Sequence, residues 1–276
     1  MGDLKEYLQL VYSQELEEKK QWYSSVAQAY HLARPRYSKS LLQFALERAN
    51  LSPTSTILEV GCGPGTATVD LAEFGYPIVA LEPSTDACEL ARQNCQNYPH
   101  VTLVNSTLEE WEREACPFDA VVAASSYHWI SPEVREDKII SCFPGQGTLI
   151  LLWNTPPRPE PDVYSILNSV YQNYNPSLAT YDDLATHQQS LNQMGESLLV
   201  SGNFRDLRSQ QEICDRRYDI DTYLALLTTL SQYIRLDTAE RNKILSALKL
   251  ALQQEGITEF NTSYLSLVQV VSYSSL

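Results

Sequence analysis

Residues 57–66 read Ile57-Leu58-Glu59-Val60-Gly61-Cys62-Gly63-Pro64-Gly65-Thr66, and this stretch decides the fold. A short apolar strand, Thr56 to Val60, empties into Gly61, Gly63 and Gly65, and a helix-like pattern runs from Thr66 through Phe74. Strand, glycine loop and helix start together make a nucleotide-type binding device. Glycine admits positive φ and close approach of a ligand, and the helix start offers free N–H groups. The spacing speaks against a dinucleotide, whose fingerprint is G-x-G-x-x-G. Here the loop is G-x-G-x-G, and Thr66 stands where the third glycine should be. Glu59, two residues before the first glycine, would repel a pyrophosphate but suits a cationic amino group.

Glu59 to Thr66 resembles the first motif of the class I methyltransferases that use S-adenosylmethionine. That ligand carries an ammonium and a sulfonium and no phosphate, which fits an acid beside the loop. The second strand agrees. Pro77-Ile78-Val79-Ala80-Leu81 is a continuous apolar run ending at Glu82, followed by Pro83 and Ser84, and Glu82 lies 21 residues after Gly61. An acid at about that distance is placed to accept from ribose hydroxyls. Glu82 points to an adenosyl ligand without choosing the family; the loop makes that choice.

The chain has 276 residues, 43% hydrophobic and 20% charged, enough for one globular α/β domain with a sizeable insertion. Its six cysteines are scattered, with no C-x-x-C pair, so neither zinc spacing nor a disulfide framework is expected, and the reading is of reduced thiols in a cytoplasmic protein with no metal. The charged first 25 residues do not read as a signal peptide, and no run approaches the ~18 apolar residues of a membrane span. With a net charge of −14 and no basic cluster beyond Arg34-Pro35-Arg36 and Arg216-Arg217, a nucleic-acid acceptor is disfavoured. The oligomeric state is not legible.

From Thr54 to Trp153 strands and helices alternate, with strands near 56–60, 77–81, 101–104, 118–123 and 147–153 and helices near 66–74, 84–96, 107–113 and 132–142. This rhythm predicts a parallel sheet covered on both faces. Leu4 to Lys20 has helical spacing, Pro35 should break the helix within Gln21 to Tyr37, and Ser38 should cap a helix from Lys39 to Ala49. After the prolines at 156, 157, 159 and 161 come helical patterns near 162–174 and 188–200. Ile213 to Tyr218 reads as a sixth strand, followed by helices near 221–232 and 237–254 and a last strand from Tyr264 to Tyr273. The expected architecture is a Rossmann-like, doubly wound, seven-stranded and mostly parallel sheet. The family resemblance implies that its last strand is antiparallel. The expected divisions are an N-terminal helical cap (1–40), a cofactor-binding α/β core (41–155), a helical insertion covering the site (156–211) and the remainder of the core (212–276).

Methyl transfer needs geometry above all: a nucleophile in line with the methyl in a dry pocket, with a base where the acceptor carries a proton. The fourth strand runs into Ala124-Ser125-Ser126-Tyr127-His128-Trp129. The resemblance implies that Ala124 and Ser125 border the amino-acid portion of the cofactor and that the His-Trp pair lies on the acceptor side. Tyr127 and His128 are therefore the catalytic candidates, His128 as base or acceptor-orienting group, although a histidine after a strand is often an ordinary loop residue. The turn Asn105-Ser106-Thr107-Leu108-Glu109 is implied to meet the adenine, and Thr107 with Glu110 also reads as a capping box. Tyr30-x-x-x-Arg34-Pro35-x-Tyr37 resembles a bacterial branch that includes enzymes similar to trans-aconitate methyltransferase, and so does Leu227-x-Thr229-x-Ser231. There Tyr30 lies over the cofactor and Arg34 could pair with its carboxylate. The expected cofactor-binding set is Tyr30, Arg34, Glu59, Gly61, Cys62, Gly63, Gly65, Glu82, Pro83, Ser106, Thr107, Leu108, Ala124 and Ser125.

The function expected is S-adenosylmethionine-dependent methyl transfer to a small molecule. A carboxylate acceptor would suit Arg34, Arg36 and Arg158; a phenol or amine is equally open. The alternatives are a nicotinamide-dependent oxidoreductase, against which Thr66 and Glu59 speak, and a non-catalytic adenosyl-binding module.

Overall fold

The structure is a computed structural model that describes residues 15–112, 118–179 and 184–275. Before the sheet come α1 (Leu16–Gln21), α2 (Ala27–Ala33) and α3 (Lys39–Arg48). Most of the helix expected over Leu4 to Lys20 lies outside the described residues. Pro35 acts as its chemistry requires: Arg34, the residue before it, is extended (φ −68, ψ 140) and ends α2. Ser38 caps α3, its hydroxyl accepting from the Leu41 N–H.

The core is β1 (Ile57–Val60), α4 (Thr66–Ala72), β2 (Ile78–Leu81), α5 (Thr85–Asn94), β3 (Val101–Val104), β4 (Ala120–Ala124), α6 (Pro132–Ser141) and β5 (Gln146–Asn154). These five strands pair in parallel, in the order β3-β2-β1-β4-β5. Alternate residues feed two cores. Leu58, Val121 and Leu149 pack on one face of the sheet, and Ile57, Ala120 and Ile150 on the other. Burial on both faces explains why β2, β4 and the centre of β5 read as unbroken apolar runs.

Then come β6 (Arg158–Pro159), α7 (Pro161–Tyr174), α8 (Leu184–Ser197), β7 (Phe204–Asp219), α9 (Ile220–Thr228), α10 (Ser231–Ile234), α11 (Thr238–Gln254) and β8 (Glu259–Ser274). β8 runs antiparallel to β5 from Gln146↔Ser274 to Asn154↔Ser266, and on its other side antiparallel to β7. The sheet therefore has eight strands among the described residues, not seven. The extra one, β6, takes up the β5 edge of β8 again after a three-residue break, at Arg158↔Ser263.

Four further expectations are corrected. The sixth strand is 16 residues long, because β7 is a polar strand exposed along most of its length, without the apolar signal that marks a buried one. The helix expected near 107–113 is only a turn over its described part: the Thr107 hydroxyl accepts from the Glu110 N–H (3.1 Å), yet the chain does not continue as helix. The helix expected over 221–232 breaks at Thr229. The described residues of 156–211 also lie elsewhere than over the site. Val163, Leu167 and Tyr171 of α7 form a third core with Leu224, Leu227, Ile244 and Leu248 from α9 and α11. α8 packs on β8, where the Gln269 amide donates to Leu191 O (2.9 Å).

Candidate active site

A cleft opens at the carboxyl ends of β1, β2 and β4, where an open α/β sheet binds its ligands. Its floor is Val60 to Pro64, with Glu82 and Pro83 after β2, Ser106 to Glu109 after β3, Ala124 to Ser126 after β4 and Asn154 at the end of β5. Its other wall comes from the segment before the core: Leu16, Lys20, Tyr23, Ala27, Tyr30, Arg34, Pro35 and Tyr37. No described residue of 156–211 lines it. The N-terminal segment is the cover.

The loop is held open by its glycines. Gly61 has φ +67, and a Cβ there would stand 2.7 Å from Ser126 Cβ, so both conformation and space demand glycine. At Gly63 a Cβ would meet nothing within 4 Å, which leaves its face of the loop clear. Gly65 is not in the lining. It precedes α4 and packs against Ala91 of α5 and Cys95 just after it, both 3.4 Å from where its Cβ would be. Its place is in helix packing, not at the cleft.

Glu82 closes the loop onto β2. One carboxylate oxygen accepts from Gly63 N (2.7 Å) and the other from Ser84 N (2.9 Å). It lines the cleft while only 7% exposed, and burial pushes its carboxyl up to about 7. Asn105 braces the same rim by donating to Glu82 O (2.8 Å) and Pro83 O (2.9 Å). Glu59 lies behind the loop, fully buried, and burial pushes it to about 7 as well. Thr68's hydroxyl opposes that rise but does not reach hydrogen-bond geometry, and neither Glu59 oxygen has a donor among the described residues. Glu59 is not among the lining residues; it lies one layer below them.

Tyr30 and Arg34 do line the cleft. The Arg34 guanidinium lies 5.0 Å from the Tyr30 ring centroid and donates to Thr229 twice, to Oγ1 and to the carbonyl oxygen, both at 2.8 Å. Two short motifs 195 residues apart in the chain thus meet. Tyr37 bonds Ser125 across the cleft floor (3.0 Å), and Ser125 takes a left-handed φ of 54. Cys62, Pro83, Ser106, Thr107, Leu108 and Ala124 all fall in the lining.

Neither predicted catalytic residue is among the lining residues. His128 is buried, its ring stacked 5.7 Å from that of Trp153, and burial together with nearby Arg135 lowers its pKa to about 4. Tyr127 is buried with the Arg135 guanidinium 4.6 Å over its ring. Of the His-Trp pair only Trp129 faces the cleft. It meets Tyr23 edge-on at 5.5 Å, and Tyr23 meets Tyr30 at 5.6 Å, so three rings wall one side. Tyr23 carried no motif; only the fold brings it here. Among the described residues no cluster of His, Cys, Asp and Glu could hold a metal ion, and no helix is long and apolar enough to cross a membrane.

Residues 57–143 match the family described as methyltransferase domain. An uncharacterised methyltransferase of Mycobacterium tuberculosis is 28% identical over 133 residues, 48% of this chain and 52% of the relative. One of Schizosaccharomyces pombe is 22% identical over 216 residues, 78% of this chain and 80% of the relative. The chain spans about half the length of the first of these curated relatives. Among solved structures, a protein of Anaeromyxobacter dehalogenans assigned as a type II methyltransferase superposes with a TM-score of 0.58 at 22% identity, covering 87% of this chain and 97% of that one. That likeness is one of fold.

Proposed function

We propose that the chain, whose residues 57–143 match the family described as methyltransferase domain, is a class I S-adenosylmethionine-dependent methyltransferase that transfers a methyl group to a small molecule held beneath its N-terminal segment. One observation carries the reading. Gly63 N and Glu82 meet at 2.7 Å on the cleft rim, joining the glycine loop and the β2 acid into a single binding edge. The residues present fit the cofactor: Gly63 leaves its face clear, and Glu59 keeps a buried carboxylate without a donor directly behind the loop. Bound S-adenosylmethionine supplies an electrophilic methyl on a sulfonium.

The chain's own residues do the rest. Gly61 and Gly63 let the backbone approach the ligand, and Glu82 accepts from the ribose hydroxyls. Ser106, Thr107 and Leu108 border the adenine. Ala124 and Ser125 border the methionine portion, with Arg34 toward its carboxylate and Glu59 adding negative potential for its ammonium. Tyr23, Tyr30 and Trp129 exclude water and confine the acceptor, so catalysis is mainly by positioning. His128, low in basicity and outside the lining, is not assigned as a base.

Of the arginines that would favour a carboxylate acceptor, Arg36 is occupied by Asp70 (2.6 and 2.9 Å) and Arg158 is not in the lining. The carboxylate form of the reading rests on Arg34 alone. The likeness to trans-aconitate methyltransferase stays with Tyr30, Arg34, Tyr37 and Thr229. Calorimetric titration with S-adenosylmethionine, S-adenosylhomocysteine and NAD tests the proposal. Micromolar binding of the adenosyl ligands and none of NAD is expected; binding of NAD alone would overturn it.

A further inference from the structure

β7 pairs with β8 alone among the described strands, so its other edge carries no strand. Such an edge is a template for another chain, and proteins commonly blunt it with lysine, proline, bulges or shortness. β7 has 16 residues and neither proline nor lysine. Its one irregularity lies near its start, between Arg205 and Arg208, where Asp206 has φ 58. From Arg208 to Asp219 its pairing with β8 is unbroken. Leu207 packs against the core that holds Leu58 and Val121, and Ile213, opposite Leu265, lies on that same face at 67% exposure. Arg208 and Glu212 lie on the other face, as the strand's period of 2 requires. The hydroxyls of Ser38 (2.8 Å) and Ser40 (2.6 Å) hold Glu212 in place, and the Arg208 guanidinium donates to Leu207 O (3.3 Å). Neither charge has an ion-pair partner among the described residues.

We infer that two copies of this chain join edge to edge through β7, antiparallel about a two-fold axis at Gln210, into one continuous sheet. The strand's own sequence selects that partner and that register. An axis normal to the sheet keeps each face of β7 on its own side. Centred on Gln210, it sets Arg208 opposite Glu212 of the second copy and Leu207 opposite that copy's Ile213, each twice by symmetry. Opposite charges and apolar groups placed directly across from one another stabilise an antiparallel pair, and like charges there destabilise it. Moving the axis to Ser209 or Gln211 loses both matches, and moving it to Arg208 or Glu212 sets like charges together. Charges that would guard this edge against a foreign strand therefore complement one another when the incoming strand is β7 itself. The seam also lies against the base of the cover, because Glu212 bonds Ser38, the residue after Tyr37 of the cleft lining.

Sedimentation equilibrium of the full chain tests this. The wild type should be a dimer with a micromolar dissociation constant. Arg208→Glu and Glu212→Arg each turn two matched pairs into two like-charge pairs, and each should weaken association about tenfold or more. Mixed in equal amounts, the two variants restore both matched pairs across one seam, so the mixture should dimerise as the wild type does. Repair of a local contact within one copy, such as that of Glu212 with Ser38, would not give this rescue. Hydrogen exchange on the wild type needs no variant and keeps the test alive where a substitution prevents folding: amides of 207–213 should gain protection as concentration rises. A wild type that stays monomeric at its highest soluble concentration overturns the inference. So does a dimer that neither substitution weakens, which would join by another surface, and so does a mixture no stronger than its components, which would break the register at Gln210.

Discussion

The two walls of the cleft are built by opposite means. The floor presents backbone: Gly61 and Gly63 with positive φ, and a carboxylate clamped to a loop N–H. The cover presents side chains, the rings of Tyr23 and Tyr30 and the guanidinium of Arg34, carried by the segment before the sheet and met by Trp129 from the turn after β4. The floor hangs on parallel strands buried on both faces. The cover is pinned at a few points: Ser24 to Ser84 (2.8 Å), Lys20 to Glu110 (2.6 Å) and Arg34 to Thr229. A site whose floor is backbone tolerates almost no change there, while one covered by side chains can vary its acceptor without disturbing the cofactor. Substitutions should therefore hurt much more on the floor.

The sharpest attempt to break that contrast is Gly61→Ala. Left-handed strain of about 1–2 kcal/mol adds to overpacking against Ser126 of about 1–3 kcal/mol. Denaturant titration should show a loss within that combined range, and S-adenosylhomocysteine binding should vanish. An unchanged midpoint would remove the special status of the loop. Next in size is Glu82→Ala, which should raise the cofactor dissociation constant by an order of magnitude or more, since a hydrogen bond to a charged group contributes about 1.5–3 kcal/mol.

Acidity sharpens the same point. Glu59 and Glu82 are both raised to about 7 by burial, so the folded chain holds more protons than the unfolded one between the ordinary carboxylate range and that value. Stability of the ligand-free chain should fall as pH rises through this window. Affinity for the cationic cofactor should move the other way, tightening as the two carboxyls ionise, with protons released on binding. Calorimetry in buffers of different ionisation enthalpy reads that release; its absence near neutral pH would mean that neither carboxyl is coupled to the ligand.

On the cover the effects shrink. Arg34→Ala should weaken cofactor binding several-fold, about 1 kcal/mol, and unchanged binding would take Arg34 out of the site. Lys20→Ala should matter least. Its pairing with Glu110 involves a carboxylate open to water, so the thermal melting midpoint should barely move.

Legibility follows the same division. The glycine loop, Glu82 and the turn at 106–108 could be read because their chemistry lies in short local spacings that the backbone enforces. Tyr30 and Arg34 were readable as a pattern, but Thr229, the anchor of Arg34, sits across the chain. Tyr23 and Trp129 look like any packing aromatics until the cover folds down. His128 misled because position after a strand does not reveal which way a 3-10 turn faces; residues 127–129 form such a turn and bury the imidazole while leaving the indole at the cleft. β7 was short in the sequence reading because a solvent-facing strand carries no apolar alternation.

The links from the cover to the second half of the chain also set an order of events during synthesis. Arg34 waits for Thr229, the Arg34 carbonyl for Arg216 and the Ala33 carbonyl for Tyr218, separations of 195, 182 and 185 residues. β5 likewise waits for residues 266–274 before both its edges are paired. Such distant pairings are slow to close and leave strand edges open meanwhile. A ribosome-bound chain emerging from the tunnel can thus form the glycine loop long before it can close over a ligand, and the bare edge of β5 is the surface a chaperone would have to shield in that interval.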